Sequence, residues 1–369
     1  MSITDFEIDD VLNEDMTDSG KPKRTVKRLD YYNRSYTGLS YSRSMDLHRC
    51  PRKFELNSKY QLFPRKESVT FAYGHAVGAG VQRTLAGDSL NKTILATMLE
   101  YDFPVDKLGE ASEIMADKSL WHALLFVRRF HTMYHAGYFS HLAGWEVAKF
   151  EVDGQTILGV ELTFVIDLGD GFTHEGHIDI VLYHPVRNRY LVVELKTNGG
   201  NVVREEQYEN SAQAVGYGAV IDVIAHNMAA SSSFDVLYIV AKSRTQEYLP
   251  MLFTKTPADK ARWLYELTID KSMVEYYEQI GHYPLRGEAC FDYYRPCSHY
   301  HWCKEDTATL EARQLAVAVH DTVLYSKMET PTFFFSLQQL IDRQHQITQI
   351  LQTNSESEVD MLIDIKLMN

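Results

Sequence analysis

Two apolar runs between Gly176 and Thr197 constrain this chain more than any other stretch. Gly176 to Tyr183 and Tyr190 to Thr197 are rich in Ile, Val and Leu, and His184 to Arg189 between them carries the proline and polar residues of a turn. The pattern predicts two strands joined as a hairpin. Its polar exceptions are Asp179, Glu194 and Lys196. Side chains alternate along a strand, so Glu194 and Lys196 point to one side, and the hairpin can set Asp179 beside them. Two carboxylates and an ammonium then converge. Carboxylates bring hard divalent cations to a phosphate, and a neighbouring lysine orients or helps to deprotonate the attacking water. A salt-bridged sheet edge would use the same residues.

With 369 residues, 45% of them hydrophobic, the chain has ample material for a core and for one large domain with additions, or two. No apolar run approaches the roughly 18 residues that cross a bilayer, and the first residues lack the charged and apolar regions of a signal peptide. A soluble, cytoplasmic protein without a membrane partner is expected. The net charge of −13 argues against a surface coated in positive charge, but nucleic-acid affinity follows local basic surface rather than the sum. The distribution is uneven. Met1 to Gly20 holds seven acidic residues and no Lys or Arg, whereas Lys21 to Lys66 holds thirteen basic residues against three acidic ones. Residues 1–37 read as an acidic then basic tail, disordered in part, and Tyr31, Tyr32, Tyr36, Tyr41 and Tyr60 are candidates to stack unpaired bases.

The rest of the chain supplies a frame for the hairpin. A helix is expected near Ser42 to His48, and Pro51 can start another, which leaves Cys50 at a junction. Phe71 to Gln82 is rich in small residues suited to close helix packing, and about 85–140 reads as a helical insertion. Trp145 to Ile166 is strand-like, Arg204 to Ile224 helical with Gln213 and Tyr217 four apart on one face, Val236 to Ala241 a strand, and Pro257 to Ile280 a helix. Strand, strand, helix, strand is an α/β core with the carboxylates at its active edge. Residues 304–369, with Phe333 to Phe335 and an amphipathic run from Leu337 to Leu351, are expected to form a helical extension that packs back on the domain or binds a partner.

The four cysteines form one group. Cys50 stands alone, and Cys290, Cys297 and Cys303 follow far downstream near a proline and aromatic residues. Disulfides are disfavoured in the cytosol, so metal ligation is the natural reading, and zinc or an iron–sulfur cluster fits four thiolates. His299 and His301 lie inside the triplet as alternative ligands, and four unrelated buried thiols remain the plain alternative.

Taken in order, these segments resemble the RecB-like branch of the PD-(D/E)xK nucleases, in particular its members with an iron–sulfur staple. Cys50 to Phe54 is similar to the N-terminal cysteine segment. Gly176 to Asp179 with Glu194 to Thr197 is similar to the metal-binding core, Gln213 and Tyr217 to the Gln-x-x-x-Tyr helix, and Tyr283-Pro284 with the three cysteines to the end of the staple. The resemblance spans about Ser40 to Cys303 and implies a nuclease domain over 38–303. The fold it implies is α/β, a restriction-endonuclease-like core with a mixed sheet, a flanking helical region and a four-Cys metal staple. It further implies that Asp179, Glu194 and the Leu195 carbonyl bind magnesium or manganese while Lys196 assists the water. Gln213 and Tyr217 would contact nucleic acid or brace the site, and Cys50, Cys290, Cys297 and Cys303 would hold a structural 4Fe-4S cluster, with zinc as the alternative.

One position departs from the pattern. Many relatives carry a metal-binding histidine four residues after a helix glycine; counted from Gly74 that position is Gly78. His75 and Gln82 lie on the same helix face and are candidate replacements, and Glu161 is a further candidate neighbour of the metal. The resemblance implies a DNA exonuclease acting on single strands or ends in recombination, repair, phage DNA metabolism or CRISPR adaptation. A noncatalytic DNA-binding or assembly subunit is the alternative, supported by Gly78. No Gly-x-x-x-x-Gly-Lys-Ser/Thr segment appears, so a helicase or recombination partner would be a separate chain.

Overall fold

In chain order the elements are strand β1 (Gly38–Ser40) and helices α1 (Tyr41–Arg49), α2 (Pro51–Ser58), α3 (Val69–Leu85), α4 (Leu90–Glu100) and α5 (Leu120–His135). Strands β2 (Glu146–Val147), β3 (Lys149–Val152), β4 (Gln155–Leu158), β5 (Val160–Gly169), β6 (Phe172–His184) and β7 (Arg189–Asn198) come next. Helices α6 (Glu205–Glu209) and α7 (Ala212–Asn227), strands β8 (Asp235–Lys242) and β9 (Glu247–Thr254) and helix α8 (Pro257–Ile280) follow. Beyond them lie β10 (Phe291–Asp292), β11 (Arg295–Pro296), α9 (Thr307–His320), β12 (Thr332–Ser336) and α10 (Leu337–Thr353). The computed structural model describes residues 38–60, 62, 69–101, 116–152, 155–199, 202–227, 235–292, 295–320 and 332–353. The tail 1–37, with Tyr31, Tyr32 and Tyr36, lies outside the described residues.

Eight strands form one mixed sheet in the order β12-β5-β6-β7-β8-β9, with β1 and β2 also bonded to β6. The expected hairpin is there: β6 and β7 pair antiparallel, Ile180 opposite Val193 and Val181 opposite Val192. Its turn is closed by Asn188 at φ 49°, a left-handed conformation that asparagine tolerates. β8 lies parallel to β7, and such a pair requires a crossover, which α6 and α7 provide. Apolar residues on the two faces of the sheet build two cores. One lies with α7 and α8 and contains Val192, Val220 and Leu264; the other lies with α3 and α5 and contains Val77, Phe126 and Val193.

Element ends follow local chemistry. α8 begins at Pro257 because Thr256 and Asp259 cap it reciprocally, and it stops at Gly281, whose φ of 62° suits a residue without a Cβ. α1 and α2 meet at Cys50, with Pro51 in the first position of α2. The single helix expected over Arg204 to Ile224 is divided instead. Asn210 closes α6 in a non-helical conformation before α7 starts, in keeping with the preference of asparagine for helix ends.

The extension read as helical from residue 304 contains a strand. β12 runs parallel to β5, Phe333 opposite Phe164 and Phe335 opposite Ile166. Its pleat buries Phe335 and exposes Phe334, as successive side chains on a strand must alternate. α10 then packs against α7 and α8, so this segment completes the sheet and one of its helical layers. Among the described residues no helix is long and apolar enough to cross a membrane.

Candidate functional site

Strand β6 changes partners along one edge. β1 is bonded to it at Thr173 to Glu175 and β7 from Ile180 onward, so Gly176 to Asp179 have neither strand there. β7 runs on past Val193 as Glu194 to Asn198, paired only with β8. A gap opens between the two strands. Backbone groups that face such a gap need side-chain partners, and they find them. The Leu195 N–H donates to Asp179 Oδ2 at 3.0 Å, and the Tyr217 hydroxyl donates to the His177 carbonyl.

A second irregularity aims Asp179. Leu162 and Ile178 pair with each other and belong to the core beside α7 and α8, whereas Val160 and Ile180, also paired, pack with the core beside α3 and α5. Residues two apart on a strand ordinarily share a face. Between them Glu161 adopts φ 52°, a left-handed conformation uncommon for glutamate, and neither Glu161 nor Asp179 is paired. Both strands change faces at this row while their register continues unbroken. A Cβ on Gly176 would overlap the Phe164 ring across the ladder.

Three carboxylates therefore stand in adjacent strands: Glu161 on β5, Asp179 on β6 and Glu194 on β7. Glu194 is 1% exposed. Its Oε1 accepts from Lys196 Nζ at 2.5 Å, while its Oε2 is buried without a hydrogen-bond partner. Burial, and next the charge of Glu194, push the Asp179 carboxyl up to about 8 despite the Leu195 N–H. Burial likewise raises Glu194, with Glu161 adding to the repulsion and Lys196 opposing it. Burial works against the Lys196 ammonium, but the charge and hydrogen bond of Glu194 outweigh it and hold its pKa above the ordinary value. Lys196 is a cation at neutral pH.

A polar relay ties the site to α7. Lys196 Nζ also donates to Gln213 Oε1 at 3.0 Å, and Gln213 Nε2 donates to the Tyr217 oxygen at 2.6 Å. Asp179, Glu194, Lys196, Gln213 and Tyr217 are thus brought together. On α3, Gln82 donates to Glu161 Oε1 at 2.5 Å. His75 is exposed and makes no bond to the carboxylates. Gly78 faces β7, where a Cβ would meet only Leu195 Cδ2 at 3.8 Å.

Sequence reasoning missed Tyr208, which is bonded to Asn198 and feels the Lys196 charge. Tyr41, a stacking candidate, stands at the start of α1 within electrostatic reach of Lys196. Tyr208 carried no spacing or motif that could have marked it. Tyr60, a stacking candidate, is instead buried among Leu56, Leu62 and Leu310, so it offers no face to a base.

The sequence profile of the PD-(D/E)XK nuclease superfamily matches residues 38–304. This chain belongs to that superfamily. A crystal structure of a candidate exonuclease from Eubacterium rectale is similar at 14% identity and a TM-score of 0.40, covering 82% of this chain and 96% of that one. No curated protein matches.

The superfamily match spans all four cysteines. Cys50 is buried and the other three are half-buried. The Cys303 thiol is pushed up to about 11, first by burial and then by Cys297, Cys50 and Cys290, so the other three sulfurs lie within electrostatic reach of Cys303. β10 and β11 return the chain on itself so that Cys297 N–H donates to the Cys290 carbonyl at 2.7 Å. Residues around Cys50 and Cys303 are also joined without sulfur. Arg52 donates through Nε to the Cys303 carbonyl at 3.3 Å and through Nη2 to the Glu305 carbonyl at 3.0 Å. His299 is buried with Nδ1 unpartnered and a pKa lowered by burial to about 4, whereas His301 is exposed. Among the described residues no three His, Cys, Asp or Glu side chains are arranged to hold a metal ion by themselves.

Proposed function

We propose that this superfamily member is a magnesium- or manganese-dependent deoxyribonuclease of the RecB-like branch, acting as an exonuclease on single strands or free DNA ends. The observation that carries this reading is the buried Asp179–Glu194 pair, with one carboxylate oxygen left without a partner beside the Lys196 ammonium. Buried carboxylates that repel each other gain from a shared hard cation. Two side chains alone do not enclose such an ion. Magnesium, however, commonly keeps its waters and takes only one or two carboxylates together with substrate phosphate. In the gap between β6 and β7 the Leu195 N–H faces Asp179, and the same edge of the strand presents the Leu195 carbonyl as a third oxygen.

The bound ion would act as a Lewis acid that polarises the phosphodiester and its attacking water. The residues themselves do the rest. Asp179 and Glu194 would hold the cation to which the reacting phosphate binds in the strand gap. Lys196, an ammonium, donates to the water or to a phosphate oxygen; it orients and neutralises rather than serving as the base. Gln213 holds the Lys196 Nζ, Tyr217 holds Gln213, and both are positioning residues in this reading. Attack of water on phosphorus breaks one P–O ester bond and leaves a phosphate monoester and a hydroxyl. Glu161, with Gln82 bonded to it, is a candidate further ligand through water, and His75 on the same helix a more remote one. In the same reading Cys50, Cys290, Cys297 and Cys303 hold a 4Fe-4S cluster, or zinc, as thiolates in a reducing cytoplasm, and any helicase or recombination partner is a separate chain.

Gly78 favours a second reading, a DNA-binding or assembly subunit that keeps the fold without cleavage, because no side chain there reaches the metal position. Anaerobically purified protein separates the two. Metal-dependent cleavage of end-labelled single- or double-stranded DNA, absent with EDTA and lost in Glu194→Gln at unchanged fold and metal content, is the expected result and also reads out polarity. Cluster-loaded protein that binds DNA and cuts nothing in manganese or magnesium would move the assignment to the assembly subunit. Iron and acid-labile sulfide against zinc, measured on the same preparation, decides the occupant of the four thiols.

A further inference from the structure

α3 runs antiparallel along β7. Gly78 faces Leu195, where an added Cβ would lie 3.8 Å from Cδ2, and one turn earlier Gly74 faces Thr197, at 3.4 Å from Oγ1. A helical turn of about 5.4 Å keeps step with two strand residues of about 6.6 Å, so the first turn of α3, with Thr70 and Phe71, falls level with Gly199. The hydrogen bonds agree. Lys118 Nζ donates to Thr70 Oγ1 at 3.1 Å, and a Cβ on Gly199 would lie 3.3 Å from that same Nζ.

Lys118 is held at its backbone, its neighbour and its tip. The Tyr101 hydroxyl donates to the Lys118 carbonyl at 2.9 Å, and Asp117 accepts from the Ser243 hydroxyl at 2.6 Å, which pins this short turn to the end of β8. Burial lowers the Lys118 pKa; Asp117 opposes that shift and Arg244 adds to it. Among the described residues no carboxylate lies within ion-pairing distance of Lys118. Its hydrogen-bond partner among them, the Thr70 hydroxyl, is neutral. A half-buried, immobilised ammonium held by a neutral partner favours an anion beside it. Phe71, which follows Thr70 on α3, is 68% exposed and leaves its ring open to a stacking partner.

We propose that Lys118, Thr70 and Phe71 form a nucleotide subsite just beyond the carboxylates. Lys118 takes a phosphate of an unpaired strand, Thr70 orients the ammonium, and Phe71 stacks an attached base. Exposed Arg244 adds positive potential at the far end. The site rests on the nuclease reading for its purpose, but its ligand is single-stranded nucleic acid whether or not cleavage follows. Aromatic stacking with a cation on the backbone is the usual means of holding single strands without reading sequence.

The test is binding of a fluorescent oligo-dT strand to the full-length protein in calcium and in EDTA, so that no turnover is needed. Phe71→Ala, Lys118→Gln and Thr70→Val are compared with wild type and with Tyr265→Ala, an exposed aromatic change on α8, after matching thermal midpoints. Phe71→Ala is expected to weaken binding at least about fivefold. Lys118→Gln should reduce the salt slope of log K by about 0.7, one phosphate's worth for a single strand, and Thr70→Val should do so in part. Tyr265→Ala should bind as wild type. If Phe71→Ala and Lys118→Gln keep wild-type affinity and salt slope, the subsite is wrong even where cleavage is robust. If they lose binding while wild type cuts nothing, the subsite stands and the hydrolytic reading falls.

Discussion

Glu194 holds an oxygen that water does not reach and no donor satisfies, beside an aspartate whose carboxyl burial has raised to about 8. A carboxyl that binds its proton more tightly in the folded chain than in the unfolded one stabilises the fold at low pH and ceases to do so as pH rises through its folded pKa. For Asp179 that window runs from its ordinary 3.8 to about 8. The thermal midpoint of metal-free protein should fall by several degrees across it. Asp179→Asn should flatten the profile, and manganese added at pH 8 should restore the midpoint, since metal takes the deprotonated form; calorimetry at a series of pH values checks both. Lys196→Met removes the only cation bonded to Glu194 among the described residues. Because the Lys196 side chain is itself 37% exposed, its loss should cost only about 1–2 kcal/mol in urea titration. Cleavage should fall by about 100- to 1000-fold, the usual scale for removing a preorganised donor.

A Cβ on Gly176 would overlap the Phe164 ring, so Gly176→Ala should cost about 1–3 kcal/mol by overpacking, and Phe164→Leu in the same chain should recover part of it; a double-mutant cycle measures the coupling. Elements with self-contained signals were legible in sequence. Thr256, Pro257, Asp259 and Gly281 delimit α8 by caps alone, and the Asp179, Glu194 and Lys196 exceptions stand out because the runs around them are mostly apolar. The turnover at Glu161 was not legible, because nothing in a Val-Glu-Leu run signals a left-handed glutamate; the neighbouring strands impose it. Tyr208 and Tyr41 reach Lys196 only through tertiary placement. The Arg52 bonds to the Cys303 and Glu305 carbonyls stayed hidden for the same reason, and they show why cysteine spacing understated how these segments are joined.

At the scale of the molecule, residues beyond the superfamily match hold the core in place. Asp222 on α7 accepts from Lys260 on α8 at 2.9 Å and from Gln344 on α10 at 2.7 Å, all three buried. Gln344→Leu takes one of those donors from a buried carboxylate and should cost about 1–3 kcal/mol. Hydrogen exchange should then show β12 opening more readily, since α10 follows it directly in the chain. The position of β12 also has a consequence for biosynthesis. β5 emerges from the ribosome long before its neighbour does, roughly ten to thirty seconds at ordinary elongation rates. Until β12 arrives, β5 presents an open edge beside Leu162, Phe164 and Ile166, a template for pairing with other nascent chains. Yield of soluble protein should therefore depend on translation speed and chaperone supply more than the stability of the finished fold would suggest.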